Sequence, residues 1–173
     1  MPFDLLYWNS DATRLPSKML VYYLRNMYQK NLLVVPDALE FGGTPIDLRK
    51  VGVPIYMEAA REDHIAPYPS VFTATKQFSG PVHYILAGSG HIAGAVNPPR
   101  SGKYQHWTND HDRAYECVED WLADASEHPG SWWPDWHAWL SKQSGEDVPA
   151  REPGSGALPA LEAAPGSYVK VRS

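Results

Sequence analysis

The chain has a single cysteine, Cys117, so no disulfide can form within it and its fold must rest on a core. That usage fits a reducing compartment, and a cytoplasmic location is expected. No apolar run approaches the roughly 20 residues that a membrane helix needs. The start, Met1-Pro2-Phe3-Asp4, places no basic segment ahead of an apolar one, so no secretory signal is expected. Clustered positive charge is missing too: 15 Lys and Arg stand against 20 Asp and Glu, for a net charge of −5 and a pI near 5.8. Neutralising phosphates takes clustered cations, so no nucleic-acid partner is expected. His106 and His111 have no cysteine and no second acidic cluster close by, so no metal site is expected. One further absence matters more. Neither Gly-x-Ser-x-Gly nor Gly-x-Cys-x-Gly, the sharp turn that displays a nucleophile in α/β hydrolases, occurs in the 173 residues.

What is present is apolar and aromatic. The chain is 43% hydrophobic, enough for one domain with a real core. Trp132, Trp133, Trp136 and Trp139 crowd into one stretch, which reads first as a helix packed on its own core and second as an exposed surface for a partner. Residues 1–15 look irregular. Pro16 suits a first helical turn, and Leu20, Tyr23, Leu24, Met27 and Tyr28 recur at helical spacing, predicting a helix over 16–30 with one apolar face. A turn is expected at 41–45. Short β-branched runs at 51–57 and 82–87 predict buried strands, and a helix within 68–79 would join them into a βαβ unit with parallel strands. Further helices are predicted over 112–126, with Ala114, Val118, Trp121, Leu122 and Ala125 on one face, and over 132–143, with Ser131 as N-cap. Residues 145–166 read as a flexible linker and 167–171 as a short terminal strand. The fold class is α/β.

Each predicted strand ends in a loop that can carry chemistry, and in open α/β sheets sites form at the carboxyl ends of strands. The first loop holds Arg61-Glu62-Asp63-His64-Ile65, the second Gly88-Ser89-Gly90-His91-Ile92. Asp63 and His91 stand in the order carboxylate then histidine, and a carboxylate there can accept from imidazole Nδ1–H and fix its tautomer. Plain structural roles are open to both: Asp63 could cap the following helix and His91 could be a satisfied loop histidine. Cys117 follows the histidine, lies within a helical pattern between two acidic residues, and reads as structural. His64 could line a pocket or cap a turn.

Arg61-Glu62-Asp63-His64-Ile65-x-Pro67 and Gly90-His91-Ile92-Ala93-Gly94-x-x-Asn97-Pro98-Pro99 resemble the two late catalytic motifs of the poly(3-hydroxyalkanoate) synthases. Pro2 through Asn9, His106-Trp107-Thr108-Asn109-Asp110, Gly130-Ser131-Trp132-Trp133-Pro134-Asp135-Trp136 and the ending around Tyr168 are similar to the same family, with the single-chain class I type nearest. The resemblance implies the C-terminal portion of an α/β-hydrolase-type fold, with residues 1–33 ending a cap subdomain, 34–143 in the core and 144–173 as linker and tail. It implies an acyltransferase that polymerises (R)-3-hydroxyacyl-CoA and releases CoA, the thioester being substrate and no cofactor being needed. In it Asp63 and His91 resemble the triad carboxylate and base, while Tyr28, His64 and Ile65 are pocket candidates. The family's Cys nucleophile has no counterpart here, so the isolated chain is expected to be inactive. Expected partners are the acyl-CoA, the polyester chain, and a second copy or a full-length subunit, in the cytoplasm or at the surface of polyester granules. Two rival readings are a non-catalytic module that binds granules or a synthase, and a fragment of a serine-type hydrolase or depolymerase.

Overall fold

The computed structural model describes residues 10, 14–111, 113–167 and 170–171. The chain divides into two units, Met1–Trp139 and Leu140–Ser173. In the first, helix α1 (Ser17–Tyr23) starts after Pro16 and runs directly into a π-helical turn, Leu24–Gln29. Asn31, left-handed at φ 47°, then separates it from a short 3-10 turn, Leu32–Val34. The predicted helix over 16–30 is therefore one rod with a widened last part. Strands β1 (Leu39–Phe41) and β2 (Thr44–Ile46) form a hairpin about the expected turn. Gly42 and Gly43 both hold positive φ there, which only glycine adopts without strain.

The main sheet has four strands in the order β3 (Ile55–Ala60), β4 (Val82–Ala87), β5 (Gln105–Thr108) and β6 (Ser126–Pro129). Strands β3 and β4 are parallel, from Ile55 opposite Val82 to Ala60 opposite Ala87, and helix α2 (Tyr68–Thr73) joins them. The second strand lies where its sequence predicts it. The first begins four residues later than predicted, because Pro54 has no N–H for the ladder and Ile55 makes the first bond, to Pro81. The sheet is mixed: β4 with β5 and β5 with β6 are antiparallel pairs. Strand β3 ends the order, so among the described residues its outer edge has no strand partner.

Two predictions need correction. The loop after β4 contains a short helix, α3 (His91–Ala95). The helix expected over 112–126 contracts to α4 (Val118–Ala123), because Cys117 before it is extended and 126–129 is taken up as a partner of β5. Cys117 thus caps a helix rather than lying inside one. Helix α5 (Trp133–Gln143) matches its prediction, and the Ser131 hydroxyl accepts from the Trp133 N–H at 3.1 Å.

Alternation along the strands separates two faces. Ala59, Tyr84 and Leu86 join Phe72, Val118 and Trp121 in a buried cluster, with Met57 half-buried against it, which puts α2 and α4 on one side. Tyr56, Ala60 and His83 look the other way, toward α3 and α5: Ala60 backs against Gly94, and Tyr56 stacks on Trp132 at 5.9 Å. In the unit Leu140–Ser173, the Glu162 carboxylate gathers the N–H and hydroxyl of Ser167, while Leu158 and Leu161 stand in solvent. The terminal strand expected at 167–171 includes positions outside the described residues.

Candidate active site

The parallel ladder continues past the strand ends and ties the two loops together: the Arg61 N–H donates to Ala87 O at 2.8 Å and the Glu62 N–H to Ser89 O at 2.9 Å. Ser89 pays for this with φ 75°, a left-handed conformation uncommon outside glycine and one that clusters at functional sites. Two residues later His91 begins α3. Asp63 and His91 meet there, with Nδ1 and Oδ2 2.8 Å apart. The spacing in the sequence predicted that reach.

Asp63 is held on its other oxygen as well. Its Oδ1 accepts from the N–H of Ile65 at 2.8 Å and of Ala66 at 2.9 Å. The Ala66 N–H, with the His91 and Ile65 bonds behind it, outweighs burial and holds the carboxyl down at about 2. Asp63 is therefore ionised at neutral pH. A carboxylate can only accept, so Nδ1 of His91 carries the hydrogen and Nε2 is left as the basic atom. The Asp63 side chain is 7% exposed and that of His91 47%, so the anchor is shielded and the base is accessible.

The helix beneath His91 is braced from below and behind. Gly94 lies so near the strand that a Cβ on it would fall 2.5 Å from the Cβ of Ala60. The indole N–H of Trp132 donates to Gly94 O at 2.9 Å, and that of Trp133 to Ala95 O at 3.0 Å. These two tryptophans, read from sequence as packing, are bonded to the helix that carries the histidine. Behind them Asp135 accepts from the Tyr56 hydroxyl at 2.7 Å and contacts His83 Nε2 at 3.0 Å. Burial pushes the Asp135 carboxyl up, but the His83 and Tyr56 bonds outweigh it and hold it below the usual range.

Of the weaker sequence candidates, Ile65 contributes its N–H to Asp63 while its side chain is exposed. His64 is exposed. Tyr28 is not brought to the pair: its hydroxyl accepts from Tyr23 and its ring packs edge-on to the same residue. Glu58 was missed. It lies on β3, two residues before the strand ends, and its Oε1 is buried with no hydrogen-bond partner among the described residues. Burial, and then the charge of Asp63, push its carboxyl up. A glutamate inside an otherwise apolar strand was the available signal.

Cys117 starts α4, on the opposite face of the sheet from α3. The Asp120 N–H favours its thiolate, but the Asp120 and Glu119 side chains and burial prevail and raise the thiol. It is no activated nucleophile. Among the described residues no group of three His, Cys, Asp or Glu could hold a metal, and no helix is long and apolar enough to cross a membrane.

No family model matches the chain. It is similar over its whole length to curated proteins, however. It is 53% identical over 172 residues to the "Poly(3-hydroxyalkanoate) polymerase" of Methylorubrum extorquens, covering 99% of this chain and 28% of that one. It is 50% identical over 173 residues to the "Poly(3-hydroxyalkanoate) polymerase subunit PhaC" of Rhizobium etli, covering 100% and 27%. Against the protein of the same name from Cupriavidus necator it is 46% identical over 175 residues, covering 100% and 29%. The chain spans less than a third of the length of these relatives and matches their C-terminal part.

Proposed function

The chain is homologous from end to end to the C-terminal part of the poly(3-hydroxyalkanoate) polymerases, and from that premise we propose that it is the C-terminal catalytic segment of such an enzyme, of the class I kind. In this reading the sheet is the late part of an α/β-hydrolase core, with 1–33 ending a cap, 34–143 in the core and 144–173 as linker and tail. The substrate is an (R)-3-hydroxyacyl-CoA, and the products are polyhydroxyalkanoate and CoA. The protein acts in the cytoplasm at the polyester surface, as a dimer or beside a complete subunit.

The observation that carries this reading is the 2.8 Å contact between Asp63 and His91 on loops after adjacent parallel strands. His91 Nε2 takes the proton from the thiol of a cysteine that this sequence does not contain. The thiolate attacks the thioester carbonyl, and CoA leaves with the proton returned by the imidazolium. In the second half His91 removes the proton from the 3-hydroxyl of an incoming acyl unit, whose oxygen attacks the enzyme-bound thioester. The C–S bond breaks, the cysteine sulfur leaves and takes the proton back from the imidazolium, and the acyl chain ends esterified to the incoming unit, one unit longer. Asp63 keeps the imidazole in the tautomer with Nε2 unprotonated and stabilises the imidazolium each time it forms.

The test is a chimera in which this chain replaces the matching segment of the Methylorubrum extorquens polymerase, assayed for CoA release. Activity is expected, with His91→Ala and Asp63→Asn each lowering it by about 10³-fold or more. The isolated chain should release no CoA above background. CoA release by the isolated chain that is abolished by Cys117→Ala, or a chimera indifferent to His91→Ala, would sink the proposal.

A further inference from the structure

Strand alternation puts His106, opposite Ala87, on the face of the sheet that carries α3 and α5, and its partner on the next strand is His128 of β6. The two rings stack with centroids 5.2 Å apart and 28° between their planes. His106 is 7% exposed, and its Nδ1 lies 3.2 Å from Gly130 O. A carbonyl only accepts, so Nδ1 carries the hydrogen and the neutral ring leaves Nε2 without one. His128 is exposed, and its Nε2 bonds the buried Thr108 hydroxyl at 2.9 Å. Strand β6 has few other holds. All four of its residues are exposed, it ends the strand order beside β5, and Pro129, opposite Gln105, has no N–H for the ladder.

A proton on His106 can go only to Nε2, and it makes a buried cation that faces a second imidazole. Burial, with the charge of His128 added, holds the His106 ring below its ordinary 6.5, against the Gly130 bond and the charge of Asp135, which favour the cation. The folded value is the lower one, so the hold on β6 is complete above about pH 6.5 and weakens as pH falls below it. The other titratable groups on this face are Tyr56 and Glu58 on β3, His83 on β4, His91 on α3 and Asp135 on α5, which also carries the exposed His137. Of these, Asp135, already shared by Tyr56 and His83, is the one whose charge acts on His106. Glu127, beside His128, turns to the other face, opposite Trp107.

We propose that His106 and His128 are an acid-operated clasp on β6. With both rings neutral, the stack holds the strand to the sheet. With a proton on each, like charges face one another across 5.2 Å and the strand lets go. The release travels, because β6 runs through Gly130 and Ser131 into Trp132 and Trp133, whose indoles hold the carbonyls of Gly94 and Ala95. Acid therefore loosens the helix that carries His91 by a route separate from the titration of His91 itself. The clasp uses neither Asp63 nor His91 and stands whether or not the chain is a polymerase segment.

The experiment is hydrogen exchange on the whole chain from about pH 7 to about pH 5, the range in which histidine takes its charge. Each rate is divided by that of an unstructured peptide at the same pH. Protection of the β6 amides and of the Trp132 and Trp133 indole N–H groups should fall about tenfold or more, while β3 and β4 keep theirs. His106→Asn keeps a donor for Gly130 O but takes no proton, and His128→Phe keeps a ring to stack. Each should flatten the response. Protection of β6 that ignores pH, an equal loss in β3 and β4, or a response that persists in either folded variant would overturn the assignment.

Discussion

Toward α2 and α4 the sheet turns Ala59, Tyr84 and Leu86 onto Phe72, Val118 and Trp121, all of them buried, with Met57 half-buried against them. Toward α3 and α5 the same strands turn Tyr56 and His83 onto Asp135, and the indoles of Trp132 and Trp133 onto the carbonyls of α3. Apolar burial is non-directional, so the first face supplies cohesion without fixing any one atom. Hydrogen bonds fix distances, so the second face determines where the His91 helix sits. The difference separates what keeps the segment folded from what aims its base.

The sharpest test of that division is Trp121→Ala. It should cost about 3–5 kcal/mol, the range for emptying an aromatic core site, measured by urea denaturation. A loss below 1 kcal/mol would show that the apolar face is not the main source of stability. Asp135→Ala comes next at about 1–3 kcal/mol, because it strips the acceptor from Tyr56 and His83 together. Combined with Tyr56→Phe the losses should be less than additive, and strict additivity would mean that the network does not act as a unit. Trp132→Phe should cost only about 1 kcal/mol, one hydrogen bond, yet move the His91 ring resonances seen by NMR, because it frees the Gly94 carbonyl of the His91 helix. An unmoved His91 signal would break the link between that face and the base.

The smallest expected effect is on acid stability through Asp63. Its carboxyl titrates at about 2 in the fold against an ordinary value of 3.8. The folded value is the lower one, so its contribution is complete above about pH 4 and is lost as pH falls through about 2. Asp63→Asn should therefore melt lower than the parent at neutral pH, with the gap narrowing below pH 4. A gap that widened on acidification would contradict the hydrogen bonds assigned to the carboxylate.

The βαβ unit was legible because its strands are runs of apolar, β-branched residues, and Asp63 and His91 were legible because each closely follows such a run. Strands β5 and β6 were not. Gln105-His106-Trp107-Thr108 and Ser126-Glu127-His128-Pro129 show no clean alternation, and they are strands because β4 offers an antiparallel edge. The same pairing cut short the helix expected over 112–126. The bracing of α3 by Trp132 and Trp133 was hidden for a different reason. An indole-to-carbonyl bond across 38 positions leaves no periodic trace, and a tryptophan that packs is spelled like a tryptophan that positions.

Gly94 has no functional group, yet it sets the clearance between the His91 helix and the sheet. A methyl group there would drive against Ala60 at 2.5 Å, and the relief available is for the helix to lift or tilt, carrying His91 one turn away with it. Proton transfer falls off steeply with distance, so an ångström of lift at His91 is felt in rate long before it is felt in folding. A screen that scores activity alone would therefore rank position 94 beside Asp63 and His91, and would mistake a spacer for a reagent.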